Sequence, residues 1–233
     1  MESICYFATK VGLGMGNEEL DSLLLADIGN THFHIYDGVT VEHLAYDDAI
    51  EKYANSKLYY ISVKHALEEK IEHIKSWKNI SSFVKIEGEY KTMGVDRKAL
   101  CLSRKNGIFV DAGSAITVDV TEEGRYVGGF ILPGLKAYLQ SYKSISSALD
   151  TSLDTTLSLE ELPNTTKEQI SYGIIASIKA LIGQHSKGKR LYFTGGDGKF
   201  LSTYFENALY DETLVFQGMK RALYVSEELG IRN

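Results

Sequence analysis

The chain has 233 residues and a formal net charge of −6. Hydrophobic residues are 44% and charged residues 24%, an ordinary globular mixture that excludes a chiefly disordered chain. The acidic balance argues against a partner such as nucleic acid or an anionic membrane, because both need a basic field. An anionic ligand must then be met locally, by a few cations or by backbone N–H groups. Two cysteines, Cys5 and Cys101, are too few for a zinc cluster or a disulfide scaffold. No apolar run reaches the ~18 residues of a membrane span. The start of the chain lacks the basic and apolar regions of a signal peptide, so the cytoplasm is the expected compartment.

Residues 1–22 read as a flexible leader. Gly12, Gly14 and Gly16 suit a phosphate, but no strand leads into them. Order begins at Leu23-Leu24-Leu25-Ala26 and runs into the turn Asp27-Ile28-Gly29-Asn30-Thr31. His32 to Tyr36 then alternates with period two, so this segment reads as a β-hairpin with a carboxylate at its bend. Leu67, Ile71, Ile74 and Trp77 fall at helical spacing within 64–78. Asp96 to Lys105 reads as a short helix stopped by Asn106-Gly107. Ile108-Phe109-Val110 then runs into Asp111-Ala112-Gly113-Ser114-Ala115. Strands Ile116–Val120 and Tyr126–Leu132 follow.

The two strand–Asp-x-Gly–strand units lie 84 residues apart. That spacing divides the chain into two similar domains, 23–107 and 108–233. Leu135 to Ile145 forms one helix after the Pro133-Gly134 turn, and Ile170, Ile174, Ile178 and Leu181 mark another. Leu191–Thr194 is a strand, Gly195-Gly196 a turn and 199–207 a helix. Leu214–Phe216, read as a strand, and a helix over 218–229 follow. Strands first, then alternating helices and strands, twice over, define an α/β protein of two related halves.

Asp-x-Gly at a hairpin bend has a chemical use. Glycine lacks Cβ, so the backbone can approach a phosphate and donate N–H groups. The aspartate can hold Mg²⁺, directly or through water. Asn30, Thr31 and Ser114 add further polar groups. One copy is an ordinary turn; two copies, each set between strands, suggest a cleft gripping the phosphates of ATP from both sides. Gly195-Gly196-Asp197 suits a nucleoside or a plain strand–helix turn. In Gly94-Val95-Asp96-Arg97, a carboxylate beside a guanidinium suits a base next to an anion anchor, and Asp96 also reads as an ordinary helix N-cap. Gly183 to Arg190 mimics a P-loop, but Arg190 replaces the Ser or Thr that binds Mg²⁺, and the segment follows a helix instead of a strand. His32 and His34 share a strand face with no third metal ligand evident nearby, which reads as an exposed face.

Together these residues resemble the type III pantothenate kinases, within the acetate/sugar kinase–heat-shock–actin superfamily. The match runs from Leu23 onward through Asp27–Thr31, Gly94–Arg97, Asp111–Thr117 and Gly128-Gly129-Phe130-Ile131-Leu132-Pro133-Gly134. The resemblance implies two ribonuclease H-like domains with an ATP cleft between them and the last helix packed back on the first. It implies ATP-dependent phosphorylation of pantothenate to 4′-phosphopantothenate, the first step of coenzyme A biosynthesis. The first phosphate loop would comprise Asp27, Ile28, Gly29, Asn30, Thr31, His32, Phe33 and His34, with Ser114 contacting ATP in the second. Asp111 would help hold a monovalent cation, K⁺ or NH₄⁺, beside the Mg²⁺ that accompanies ATP. Gly94, Val95, Asp96 and Arg97 would contact pantothenate, with Asp96 as base. Tyr90 would be a further substrate contact, at shorter spacing from Gly94 than in many members. Thr166 would be another, while Thr165 and Glu168 read as a capping box. The resemblance also implies a homodimer. The alternatives are another kinase of the superfamily, acting on a different small hydroxyl or carboxylate substrate, and a non-catalytic ATP-binding regulatory protein.

Overall fold

The computed structural model describes residues 23–63, 67, 70–186 and 188–228. The expected leader, with its three glycines, lies outside these residues.

Two five-stranded sheets carry the fold. The first comprises β1 (Leu24–Ile28), β2 (Phe33–Tyr36), β3 (Val41–Leu44), β4 (Leu58–Ser62) and β5 (Trp77–Asn79), in the order β3-β2-β1-β4-β5. The second comprises β6 (Gly107–Ala112), β7 (Ala115–Glu122), β8 (Arg125–Pro133), β9 (Leu191–Thr194) and β10 (Ala208–Tyr210), in the order β10-β9-β6-β7-β8. Each sheet centres on its first strand. An antiparallel meander lies on one side of that strand and parallel strands lie on the other. The internal repeat read from the two Asp-x-Gly turns is therefore a repeat of topology.

Six α-helices are described along their length: α1 (Tyr46–Tyr53), α2 (Val95–Leu102), α3 (Leu135–Ile145), α4 (Thr166–His185), α5 (Gly198–Ser202) and α6 (Leu214–Glu228). None of the described helices is long and apolar enough to cross a membrane. Thr165 caps α4 as expected: its hydroxyl accepts from the Glu168 N–H and donates to the Glu168 carboxylate at 2.8 Å.

Strand parity decides what each sheet face meets. Ala26 and Ile28 of β1 join Phe33, Ile35, Leu58 and Trp77 in an outer cluster. Ile108, Val110 and Ala112 of β6 join Ile116, Val118, Ile174 and Phe193 in another. The opposite faces meet in a third cluster that draws Leu25 and Ile61 from one sheet and Phe109 from the other, with Leu100 of α2 and Phe216 and Met219 of α6 between them. Gly218 of α6 lies so close to the backbone carbonyl of Ala99 that any Cβ would strike it. The close approach fixes α2 against α6, and α6 also packs on β1.

Several expectations need correction. Trp77 opens β5 and is not the end of a helix over 64–78; Leu67 and Ile71 are helical, and Trp77 pairs with Leu58 because a parallel neighbour on β4 outcompetes the helical period. Residues 64–66, 68 and 69 of that expected helix lie outside the described residues. Leu214–Phe216 is the first turn of α6, not a strand, since both faces of this apolar run are covered within one cluster. The helix expected over 199–207 stops at Ser202, and the one expected over 96–105 spans Val95–Leu102. The P-loop mimic follows α4 and precedes β9, so it lacks the strand–loop–helix context.

Candidate active site

Both Asp-x-Gly turns sit at the C-terminal ends of the central strands, with Asp27 near the end of β1 and Asp111 near the end of β6. The same parity that buries Leu25 and Phe109 turns both aspartates toward the space between the sheets. Each turn is tightened by a short backbone bond. The Gly29 N–H donates to the His32 carbonyl at 3.1 Å, and the Gly113 N–H donates to the Ala115 carbonyl at 2.9 Å. The Tyr46 hydroxyl braces the first turn by donating to the Gly29 carbonyl at 2.9 Å. The Gly134 N–H braces the second by donating to the Ser114 carbonyl at 3.2 Å. The loops then meet, with the Thr31 and Ser114 hydroxyls 3.1 Å apart.

Ile28 and Phe33 bury their side chains in the outer cluster, so they can offer a nucleotide only main-chain groups. Asn30, Thr31, His32 and Ser114 are exposed at the mouth. Gly195 adopts φ +83°, and a Cβ there would come within 2.5 Å of Asp111 Oδ1 and 2.6 Å of the Ala112 carbonyl. The Gly195-Gly196-Asp197 turn is thereby seated against the second loop, with the Asp197 N–H donating to Ala112 at 2.9 Å.

Helix α2 brings the third motif. Its N-cap is Gly94, so Asp96 is the second helical residue and not the cap expected from sequence. Asp96 Oδ1 accepts from the Arg97 N–H at 2.8 Å. A Cβ on Gly94 would collide with that oxygen, which explains the glycine. Val95 is half-buried against the shared cluster. Arg97 is buried, and it donates from Nε to Asp119 Oδ2 at 3.0 Å and from Nη2 to Asp119 Oδ1 at 2.5 Å. Its Nη1 donates to the Tyr90 hydroxyl at 2.6 Å. Tyr90 thus joins the Asp96–Arg97 unit, while Thr166 is exposed at the first position of α4.

Asp119 was not singled out in the sequence. A signal existed: in Ile116-Thr117-Val118-Asp119-Val120 the polar residues take the parity opposite to the apolar ones, and hairpin register puts Thr117 beside Asp111 and Asp119 beside Phe109.

The electrostatics are one-sided. Burial raises the carboxyl of Asp27 well above its ordinary range, and the negative charges of Asp96 and Asp111 raise it further. Burial likewise raises Asp96, against the opposing Arg97 N–H and guanidinium. Asp111 is pushed up to about 7 by burial, then by Asp96 and Asp119. Asp27, Asp96, Asp111 and Asp119 thus act on one another, and Arg97 offsets only Asp96 and Asp119, an arrangement that calls for cations. Asp27 Oδ1 and Thr117 Oγ1 are buried oxygens without a hydrogen-bond partner. Oxygen donors with unmet valence fit a hard cation such as Mg²⁺ or K⁺. Among the described residues no three His, Cys, Asp or Glu side chains form a ready metal cage. Any ion here would therefore share its shell with phosphate and water, as Mg²⁺ usually does.

The face carrying His34 is not the open surface expected from sequence. His34 is half-buried and faces His43 across the β2–β3 register, with the two Nδ1 atoms 2.6 Å apart. Burial, then His43, lowers His34 to about 4, so it is neutral near pH 7.

Two sheets of repeated topology, meeting around paired Asp-x-Gly turns, define an α/β protein of two ribonuclease H-like halves. The fold matches, at TM-score 0.54 and 10% identity over 91% of this chain and 98% of the other, an activator of 2-hydroxyisocaproyl-CoA dehydratase from Clostridium difficile. The particular family is shown by sequence: residues 62–187 match the type III pantothenate kinase family model. A type III pantothenate kinase from Helicobacter hepaticus is 42% identical over 202 residues, covering 86% of this chain and 98% of the relative. One from Campylobacter jejuni is 39% identical, covering 86% and 96%. A C. jejuni crystal structure described as a Baf family transcriptional activator matches at TM-score 0.81 and 38% identity, over 88% of this chain and all of that one. The chain belongs to the type III pantothenate kinase family.

Proposed function

We propose that the protein transfers the γ-phosphoryl group of ATP to the primary hydroxyl of pantothenate, opening coenzyme A synthesis. The observation that carries this reading is the Asp96–Arg97 unit at the start of α2, electrostatically coupled to the aspartates of two loops that touch through Thr31 and Ser114. Residues 27–34 and Ser114 line the phosphates, chiefly through main-chain N–H groups. Asp96 accepts the hydroxyl proton as the new O–P bond forms and the bond from the γ-phosphorus to the bridging oxygen of ADP breaks. Tyr90, Gly94, Val95 and Arg97 hold the substrate, with Thr166 as a further contact. Asp27 and Asp111 would hold Mg²⁺ and a monovalent cation respectively, and these ions supply neutralisation of phosphate charge when bound.

The same reading divides the chain at 107/108 into two ribonuclease H-like domains, with α6 returning to the first. It places the protein in the cytoplasm as a homodimer. Val127 and Ile131 support the dimer, because both are exposed on β8, an edge strand.

A phosphotransfer assay with pantothenate and ATP, with and without K⁺ or NH₄⁺, tests the function. Phosphopantothenate is expected, with activation by the cation. No product under either condition overturns the reading. The Baf-family description of the C. jejuni structure favours one second reading, a regulator that binds ATP without turnover. The same assay separates the two, because that reading requires nucleotide binding with no product.

A further inference from the structure

Asp119 has no part in the chemistry above, yet it is fully buried and grips Arg97 along two N–H groups. The Tyr126 hydroxyl stands beside the same carboxylate and favours its charged form, against the upward pull of burial. Gly129 of β8 leaves the space open: a Cβ there would come within 2.3 Å of the Val118 carbonyl, 2.7 Å of Asp119 Oδ1 and 3.1 Å of the Tyr126 oxygen. A guanidinium carries five N–H donors in one plane. Asp119 takes one on Nε and one on Nη2, and Tyr90 takes one on Nη1. Among the described residues, one N–H on each terminal nitrogen is left over. The buried carboxylate also cancels most of the guanidinium charge, which leaves Arg97 suited to directional hydrogen bonding more than to stabilising a distant phosphoryl group.

We propose that Asp119, backed by Tyr126, is a positioning residue: it fixes the plane of Arg97 so that the two remaining N–H groups meet the polar end of the phosphoryl acceptor. The inference rests on the assignment of Arg97 to the pantothenate site. It makes Arg97 an orienting group, and it extends the substrate-determining residues to β7 and β8, outside the Gly94–Arg97 motif.

The test is steady-state kinetics on the full chain, varying each substrate in turn, for Asp119→Asn, Tyr126→Phe, Arg97→Gln and the doubles with Arg97→Gln. Asp119→Asn should raise the KM for pantothenate about tenfold or more while the KM for ATP stays within about twofold. Tyr126→Phe should raise the pantothenate KM by roughly 2–5-fold, and either change should add less than about twofold in the Arg97→Gln background, because residues acting as one unit are not additive. Equal losses for both substrates, or the full effect persisting in that background, overturn the proposal. Should Asp119→Asn fail to fold, Tyr126→Phe and its double decide by the same criteria, and an unchanged pantothenate KM in Tyr126→Phe overturns it. Absence of wild-type turnover overturns the pantothenate reading and this inference together. Wild-type turnover with any of the contrary patterns overturns this inference alone.

Discussion

Thr31 and Ser114 stand 83 residues apart in the chain and 3.1 Å apart through their hydroxyls. Each belongs to a loop that follows a central strand, so one contact joins the two sheets at the site. A nucleotide held between these loops would exchange this hydroxyl pair for phosphate oxygens. Thr31→Val and Ser114→Ala should each raise the KM for ATP by roughly 3–10-fold, and the double variant should fall short of the product. Full multiplicativity in steady-state kinetics would show that the two hydroxyls act separately.

Asp96→Asn isolates proton acceptance. The amide oxygen can still accept the Arg97 N–H that Asp96 takes now, and a neutral group no longer bears the cost of burying charge. Melting temperature should hold or rise. Turnover should fall by roughly 10²–10⁴-fold, the usual worth of a positioned base, equal to about 3–5 kcal/mol of barrier. A loose transition state would put the drop near the lower end. Near-wild-type turnover in the variant would refute the base assignment.

Asp111 predicts a pH effect on stability. Its folded carboxyl titrates at about 7 against an ordinary 3.8. Between those values the folded state keeps a proton that the unfolded chain releases, so stability falls as pH rises through the window and the cost is complete above about 7. Asp111→Asn removes the cost. It should raise the melting temperature at about pH 8 and leave it nearly unchanged at about pH 4. K⁺ should stabilise the wild type at the higher pH and the variant less. Thermal melts across pH, with K⁺ and with Na⁺, check both statements, and a gain equal at both pH values would refute the first.

Thr165 and Thr166 are neighbours with separable roles. Thr165 closes the N-terminus of α4 through Glu168, so Thr165→Ala should cost about 0.5–2 kcal/mol of stability with little change in turnover. Thr166→Ala should raise the KM for pantothenate and leave the melting temperature in place. Reversed phenotypes in melts and kinetics would put the substrate contact on Thr165.

Much of this was legible in the chain itself. The paired strand–Asp-x-Gly–strand units gave β1, β2, β6 and β7 because apolar strands and glycine bends are local signals, and Leu135–Ile145 showed its helix through period alone. The motifs at Asp27, Asp96 and Asp111 were visible for the same reason: glycine beside a carboxylate is a pattern of immediate neighbours. The edge strands β3 and β5 and the short β10 were not legible, since they carry little apolar alternation of their own and owe their existence to the partner they pair with. Trp77 and Leu214 went to the wrong element type because tertiary neighbours outweighed their local period.

What only the folded molecule decided is which side chains share a space. Asp119 is 22 residues from Arg97 and looks like one polar residue in a strand until β7 pairs with β6 and α2 closes over the pair. His43 meets His34 only through strand register. Sequence determined the fold class, the repeat and the candidate site motifs, because these follow from composition and short-range spacing. Burial, and with it the raised carboxyls of Asp27, Asp96 and Asp111 and the fixed plane of Arg97, came from tertiary packing, because desolvation and charge coupling depend on distances that span both halves of the chain.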